Sequence, residues 1–450
     1  MLVNRVPRVP KGTQSLSKQL MKIRPYQLEL AGAIAQTLKN HGLAYLAAEM
    51  RIGKTLISLE AARLGTLQNG KGTQGTRPKV VFITKLKAIA SVESDYEQAS
   101  YNLTFDLMVF NYEKVPKFLS EIKAADLVIL DEAHGLGQFP KPAMKTRQLK
   151  QCLHGKPIIY LSGTPSPESY SQLYHQLWVS SHSPWSKYAN FYAWAKDYVT
   201  VKEKRFSGVV VKDYSQANKE RIFAETEHLF HSFTQSDAGF EVSRVTEARV
   251  PVVMSAEVAR MTRELKLARM TSFQGIEIVC NTASAFRSCV HQISSGTCIT
   301  DFIDDDGNVY RKGLILDTSK AKYIRDNYEG QKIAVFYQFV AERDMLELVL
   351  DNTTSDPKVF ANDPDSVYIS QIQSGSQGVD LSVADVLIFL NINFSAMHYI
   401  QSRARLQKMN RTKPAVVHYL CAVGGIEERI LNMVQNKEDY TLSHFMRDYR

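Results

Sequence analysis

Through its first 180 residues the chain alternates short apolar runs with polar loops and helix-periodic stretches. LAYLAA (43–48), KVVFITK (79–85), FDLMVFN (105–111), ADLVIL (125–130) and PIIYLSG (157–163) are almost continuously apolar. Continuous apolarity, as opposed to strict alternation, marks strands covered on both faces, so the pattern predicts a mostly parallel sheet flanked by helices. Near residue 180 the texture changes to SPWSKYANFYAWAKDYVTVKEKRFSGVVVKDYSQANKERI, rich in aromatics and lysines and poor in βα alternation. Strand-like runs return with KIAVFYQF (332–339), SVYISQI (366–372) and DVLIFLNI (385–392). The expected organisation is an N-terminal α/β domain over 1–180, an accessory region over 181–310 and a second α/β domain over 311–450. The expected fold class is therefore α/β.

Inside the accessory region, VTVKEKRFSGVVVKDY (199–214) alternates on both sides of Ser207-Gly208, which predicts a β-hairpin. Lys204, Arg205 and Phe206 would sit near its tip, with Lys202 and Lys212 on its strands. A basic hairpin with an aromatic tip can wedge into a duplex; a solvated edge protected by lysines is the plainer reading. Trp178, Trp185 and Trp194 precede it and are expected in a core, because large aromatics usually anchor packing.

The candidate chemistry lies at the ends of the apolar runs, where open α/β sheets bind ligands. After LAYLAA comes AEMRIGKT (48–55), with a helical pattern beginning at Lys54. Gly53 lets backbone approach phosphate oxygens, Lys54 can reach the β and γ phosphates, and Thr55 can ligate Mg²⁺. Arg51 and Ile52 complete the loop as further cofactor-binding candidates. Ala48 stands where the usual phosphate-loop pattern has glycine, an exchange that adds one methyl group. ADLVIL is followed by Asp131, Glu132, Ala133 and His134. The first carboxylate can hold Mg²⁺ through water, and the second can orient or deprotonate an attacking water.

The order RPYQ (24–27), AEMRIGKT, DEAH (131–134) and LSGTP (161–165) resembles the first motor domain of superfamily 2 helicases and translocases. The likeness is closest to the Swi/Snf-like branch, whose loop typically reads D-E-M-G-L-G-K-T. It implies two RecA-like motor domains, Mg·ATP as cofactor, contact of Gln27 with adenine, and coupling of nucleotide state to domain movement through His134, Ser162 and Thr164. KIAVFYQF, SGSQGVDLSVAD (374–385) and QSRARLQKMNR (401–411) resemble the motifs of the second motor domain. Gln371, Gly378 and Asp380 match the fifth motif, with Asp380 as a cofactor-side candidate; a simple turn carboxylate is the alternative.

In the last motif the family pattern is Q-x-x-G-R-x-x-R. Gln401 and Arg405 match it, Ala404 replaces the glycine and Lys408 replaces the second arginine. A guanidinium is planar and multidentate whereas an ammonium is a point charge, so the exchange is not conservative. Arg405 is the expected finger. Lys408 suffices beside it, or Arg403 or Arg411 supplies a second guanidinium, or turnover is slow. Candidates for gripping nucleic acid, by motif position, are Lys85, Asn111, Tyr112, Gln338, Phe339 and Gln371, together with the hairpin residues Lys204, Arg205 and Phe206.

Composition adds a partner class. The 55 Lys+Arg against 46 Asp+Glu give a net charge of +9, which favours a polyanion. Five scattered cysteines contain no C-x-x-C pair, so neither a disulfide frame nor a zinc site is expected. No apolar run approaches membrane-spanning length and the N-terminus lacks a secretory core, so the expectation is a soluble intracellular protein. The compact size is similar to phage-encoded or bacterial members of the family that remodel forks and recombination junctions. The expected function is thus an ATP-dependent DNA helicase or translocase acting on forked or branched DNA. An RNA helicase, a nucleotide-gated DNA clamp and a nuclease-coupled restriction motor are the alternatives.

Overall fold

The computed structural model describes residues 23–68, 77–99, 103–206, 209–239, 245–303, 308–375, 379–406, 414–436, 445, 446 and 448. The chain divides into two compact units, Met1–Phe240 and Glu241–Arg450. Each is built on a six-stranded sheet in which every pairing is parallel.

In the first unit the strands are β1 (Leu43–Ala48), β2 (Lys79–Thr84), β3 (Asp106–Asn111), β4 (Leu127–Asp131), β5 (Ile158–Ser162), the hairpin pair β6 (Lys202–Phe206) and β7 (Val209–Asp213), and β8 (Phe230–Phe233). The sheet runs β3-β2-β4-β5-β1-β8. Alternate residues of each strand enter different cores: Tyr45, Val128 and Leu130 join one, and Leu46, Leu127 and Ile129 the other. That two-sided burial explains why the strands read as continuous apolar runs.

Helices α1 (Pro25–His41) and α2 (Lys54–Gln68) pack against one another beside this sheet. Pro25 begins α1 where an N–H would have no partner, and Gly42 ends it in a left-handed turn at φ 70°. A Cβ on Gly42 would also collide with the His182 ring, so that stop tolerates no side chain.

Strand β8 is the element with no counterpart in the apolar pattern. FHSF is four residues long and half polar, and it gains its place by pairing with β1, Tyr45 opposite Phe230 and Ala48 opposite Phe233. The rings of Tyr160, Tyr45 and Phe230 form a row across β5, β1 and β8, with centroids 5.5 and 4.6 Å apart. Trp185 and Trp194 are fully buried and Trp178 packs at the edge of the same core. Beyond them β6 and β7 pair antiparallel from Lys202 opposite Asp213 to Phe206 opposite Val209. The hairpin's base is fastened by Ser169 Oγ donating to Ser215 O and Ser171 Oγ to Tyr214 O, both at 2.6 Å.

The second unit contains β9 (Val245–Val252), the short pair β10 (Met270–Phe273) and β11 (Ile276–Val279), the pair β12 (Thr297–Ile303) and β13 (Val309–Ile315), then β14 (Ile333–Tyr337), β15 (Thr353–Thr354), β16 (Val367–Gln371), β17 (Val386–Phe389) and β18 (Ala415–Ala422). Its sheet runs β15-β16-β14-β17-β18-β9. Residues 241–310 thus lie in the second unit, where β9 closes the sheet against β18, and residues 181–240 lie in the first. No helix among the described residues is long and apolar enough to cross a membrane.

All three tryptophans lie in the first unit, so their fluorescence reports its unfolding alone. Tyr45→Ala empties the middle of the aromatic row and should lower that unit's stability by about 3–5 kcal/mol, read as an earlier urea midpoint.

Candidate functional site

Parallel strands deliver their carboxyl ends to one edge of the sheet, and the conspicuous polar residues of the first unit collect there. Lys54 opens α2, and its Nζ donates to Ala48 O and Glu49 O, each at 3.0 Å. Ala48 is the last residue of β1, paired in register with Phe233. A strand position requires no glycine, which explains the alanine. Gly53 does require its identity: φ is +85° and a Cβ would strike the Gln27 amide. Gln27, buried on α1, donates from Nε2 to Ile52 O at 2.9 Å and accepts from Arg24 N at 3.0 Å. Arg51 is left-handed at φ 67° and Ile52 is fully buried. Thr55 is half-buried one residue into α2.

Asp131 ends β4, half-buried, and accepts a 2.6 Å hydrogen bond from Thr84 Oγ1 at the end of the neighbouring β2. Burial, and then the charge of Glu132, push its carboxyl up to about 6, while the Thr84 hydroxyl and the Lys54 ammonium oppose them. Glu132 is left-handed at φ 49°, a backbone strain that a glutamate rarely carries. Its Oε2 lies 3.3 Å from His134 Nδ1, which shares a 2.9 Å hydrogen bond with Ser162 Oγ. Ser162 Oγ also accepts from Thr164 N at 3.1 Å. Glu132, His134, Ser162 and Thr164 therefore form one connected set across the ends of β4 and β5. A Cβ on Gly163 would lie 3.6 Å from Ala48 O and 3.9 Å from Lys54 Nζ, so the third loop touches the first.

Two tests bear on whether Mg²⁺ and a polyphosphate fit here. A desolvated carboxylate beside an ammonium at the mouth of a helix suits a cation with its anion. At Gly53 the Gln27 amide fills the space that a side chain would need, which seats a hydrogen-bonding group directly on the loop. Among the described residues no cluster of three His, Cys, Asp or Glu could hold a metal without such an anion.

The other candidates are placed as follows. Lys85 follows β2 and is half-buried. Asn111 and Tyr112 are buried, and Tyr112 donates to Asp131 O at 2.6 Å, bracing the acidic loop. Of Lys204, Arg205 and Phe206 only the strand pairing is described, and Gly378, Lys408 and Arg411 lie outside the described residues.

In the second unit Gln371 Nε2 donates to Gln338 O at 2.9 Å, joining the ends of β16 and β14. Asp380 is exposed and accepts from Ser382 N at 3.0 Å, an Asx turn. Gln401 is buried, and Arg403 Nε pairs with Glu247 Oε1 at 2.7 Å, which engages it within its own unit. Arg405 O accepts from Leu381 N at 3.3 Å, fastening the last motif to the segment after Asp380.

The sequence reading missed several supports. Thr84 carried a visible signal, a hydroxyl ending an apolar strand. Tyr26, which donates to Ile52 O at 2.9 Å, and Gln235, which reaches Met50 O at 2.9 Å, carried none. Also unforeseen is a buried network behind Gln338 and Phe339. The Glu342 carboxylate accepts their backbone N–H groups at 2.7 and 3.0 Å and Asn391 Nδ2 at 2.6 Å, and Asn391 Oδ1 meets His291 Nε2 at 2.7 Å. Burial drives His291 down to about 3, so it stands neutral at ordinary pH.

No family profile matches the chain. In an alignment of 471 positions that covers 92% of the chain, it is 22% identical to the probable ATP-dependent DNA helicase CHR12 of Arabidopsis thaliana. In an alignment of 460 positions that covers 93% of the chain, it is 20% identical to a Caenorhabditis elegans homologue of SWI/SNF-related matrix-associated actin-dependent regulator of chromatin subfamily A-like protein 1. With the Xenopus tropicalis protein of that name it shares 20% in an alignment of 346 positions that covers 73% of the chain. The chain covers 41%, 61% and 34% of these proteins respectively. Its relatives are thus Swi/Snf-related ATP-dependent helicases and remodelling ATPases, which supports the superfamily that the motifs resemble.

A carboxyl group held above its ordinary value binds its proton more readily in the folded state. The fold then loses stability as pH rises from the usual aspartate value to about 6, and the penalty is complete above that. Asp131→Asn removes it. The variant without ligands should gain on the order of 2–3 kcal/mol at pH 7.5 and nothing at pH 3.5, measured by urea unfolding, while losing nucleotide-dependent activity.

Proposed function

We propose that the chain is an ATP-driven DNA motor whose hydrolytic site is the carboxyl edge of the first sheet. The observation that carries the reading is the convergence there of Lys54, Asp131, Glu132, His134 and Ser162 from three separate strand ends. Gln27 and the 51–53 loop would receive the nucleotide. Lys54 would exchange its two carbonyl partners for phosphate oxygens, a substitution of weak acceptors by charged ones. Thr55 and Asp131 would hold Mg²⁺, which supplies positive charge beside the phosphates when bound. Glu132, aimed by its left-handed backbone, would orient water and accept its proton. His134, Ser162 and Thr164 would sense the change at Glu132 and transmit it to the loop that follows β5.

In the second unit Arg405 is proposed as the principal finger, with Lys408 as a further catalytic cation, Asp380 as a cofactor-side residue and Gln401 in support. DNA is the proposed polyanion, consistent with the +9 charge and with the names of the relatives. Forked or branched DNA is the proposed preference, with the β6–β7 hairpin as wedge and Lys85, Gln338, Phe339 and Gln371 near the backbone path. The phage or bacterial setting and a role in replication or recombination belong to the same proposal, as does the division of labour among residues 1–180, 181–310 and 311–450. One observation favours a second reading, a nucleotide-gated clamp with little turnover: Lys408 stands where its family resemblance calls for arginine.

Lys54→Ala and Glu132→Gln should each lower DNA-stimulated ATP hydrolysis by at least 100-fold, and Arg405→Ala by on the order of 10²–10³, in a steady-state phosphate-release assay. Multiple turnovers by the wild type remove the clamp reading. Equal stimulation by RNA and DNA at one fixed salt concentration would favour an RNA helicase.

Deleting residues 203–208 should abolish strand movement on forks and four-way junctions while leaving most of the ATP hydrolysis. Parallel loss of both activities would count against a wedge.

A further inference from the structure

The phosphate loop is held from an unexpected direction. Strand β8 pairs with β1, and residues 234–239 follow it as the last described segment of the first unit before the second unit's first strand at Val245. Here the chain is fastened to the loop three times. Glu49 N donates to Phe233 O at 3.0 Å, Gln235 N donates to Glu49 Oε2 at 2.8 Å, and Gln235 Nε2 donates to Met50 O at 2.9 Å. A fourth tie is aromatic: Phe233 stacks on Tyr26 at 5.4 Å and 12°, and Tyr26 donates its hydroxyl to Ile52 O. The carbonyls of residues 48 and 49 hold Lys54, so Gln235 grips the same few peptides that set the ammonium's position.

The exit segment is itself a built turn. Thr234 N and Oγ1 both donate to Asp237 Oδ2 at 2.8 Å, and Asp237 N donates back to Thr234 Oγ1 at 3.1 Å. These local bonds fix the backbone on either side of Gln235 and leave its side chain directed at Met50 O.

We propose that Gln235 is a positioning residue through which the connection between the two units sets the conformation of the phosphate loop. The inference rests on the ATP-motor reading. Its physical content is linkage. If DNA shifts the second unit and the exit segment follows, the Gln235 ties change the loop's affinity for nucleotide, and nucleotide biases DNA affinity by the same factor. Gln235→Ala removes the side-chain tie and keeps the backbone N–H. Gln235→Glu sets a carboxylate against Met50 O and Glu49, and so opposes the same contact.

The test measures binding of mant-ATP with Mg²⁺ to the full chain, with and without a saturating DNA duplex, together with KM and kcat for ATP. Ser236→Ala, an exposed neighbour, serves as control. Gln235→Ala should weaken mant-ATP binding about fivefold, the worth of roughly one hydrogen bond, and Gln235→Glu by more than tenfold. KM should rise in step, kcat should change less than about twofold, and the factor by which DNA alters nucleotide affinity should fall toward one. Unchanged affinity in both variants overturns the inference. So does weakened affinity with the DNA factor retained, since that describes local support only. Wild-type binding that is absent, or that survives Lys54→Ala unchanged, overturns the ATP reading and this inference with it.

Discussion

The common direction of β1, β4 and β5 is the constraint from which the first unit's chemistry follows. Three segments far apart in sequence end at the same edge because every pairing between them is parallel. Reversing one strand would carry its terminal residues to the opposite edge of the sheet. The apolar content that fixes this direction is spread over both faces, so the sheet is locked by two cores while its polar ends remain available.

At that edge the structure accepts local cost for chemistry. Asp131 is ionisable yet half-buried, and its one side-chain hydroxyl partner, Thr84, together with Lys54 does not fully offset the desolvation. Glu132 and Arg51 are two of the five non-glycine residues with positive φ among those described. Such strain survives only where surrounding bonds over-determine it. Here Tyr112 braces the Asp131 carbonyl, and Gln27 and Tyr26 both hold the Ile52 carbonyl.

The second unit solves a similar problem by different means. The ends of β14 and β16 are joined by Gln371 and Gln338, and the backbone there is fixed from below by the buried Glu342 carboxylate. Asn391 and neutral His291 extend that carboxylate's network. Nearby, Lys320 and Glu427 form a fully buried pair at 2.7 Å, with Lys320 also donating to Leu390 O. Replacing a single partner of such a pair strands a buried charge, which is why these groups act as a unit. Networks of this kind fix one arrangement of the strand ends.

Much of this protein was legible as sequence because two-sided burial and a glycine–lysine turn at a strand end both leave local signatures. LAYLAA, VVFI and VLIF are apolar throughout because sheet neighbours and both cores cover them, and each lies in a strand. AEMRIGKT and DEAH were recognisable because glycine, lysine and paired carboxylates at strand ends serve few other purposes. The alternation around Ser207-Gly208 likewise gave the hairpin. What stayed hidden depends on partners distant along the chain. FHSF becomes a strand only against β1, Ala48 is acceptable only because the sheet extends to it, and VTEARVPV closes the second sheet only through β18. Gln235 lies 185 residues from the carbonyl it holds. The sequence by itself determined the strands buried on both faces and the residue types available at their ends, since those follow from burial and residue type. The tertiary structure alone decided how the loops brace one another, because a hydrogen bond between remote backbone groups has no pattern until the chain has folded.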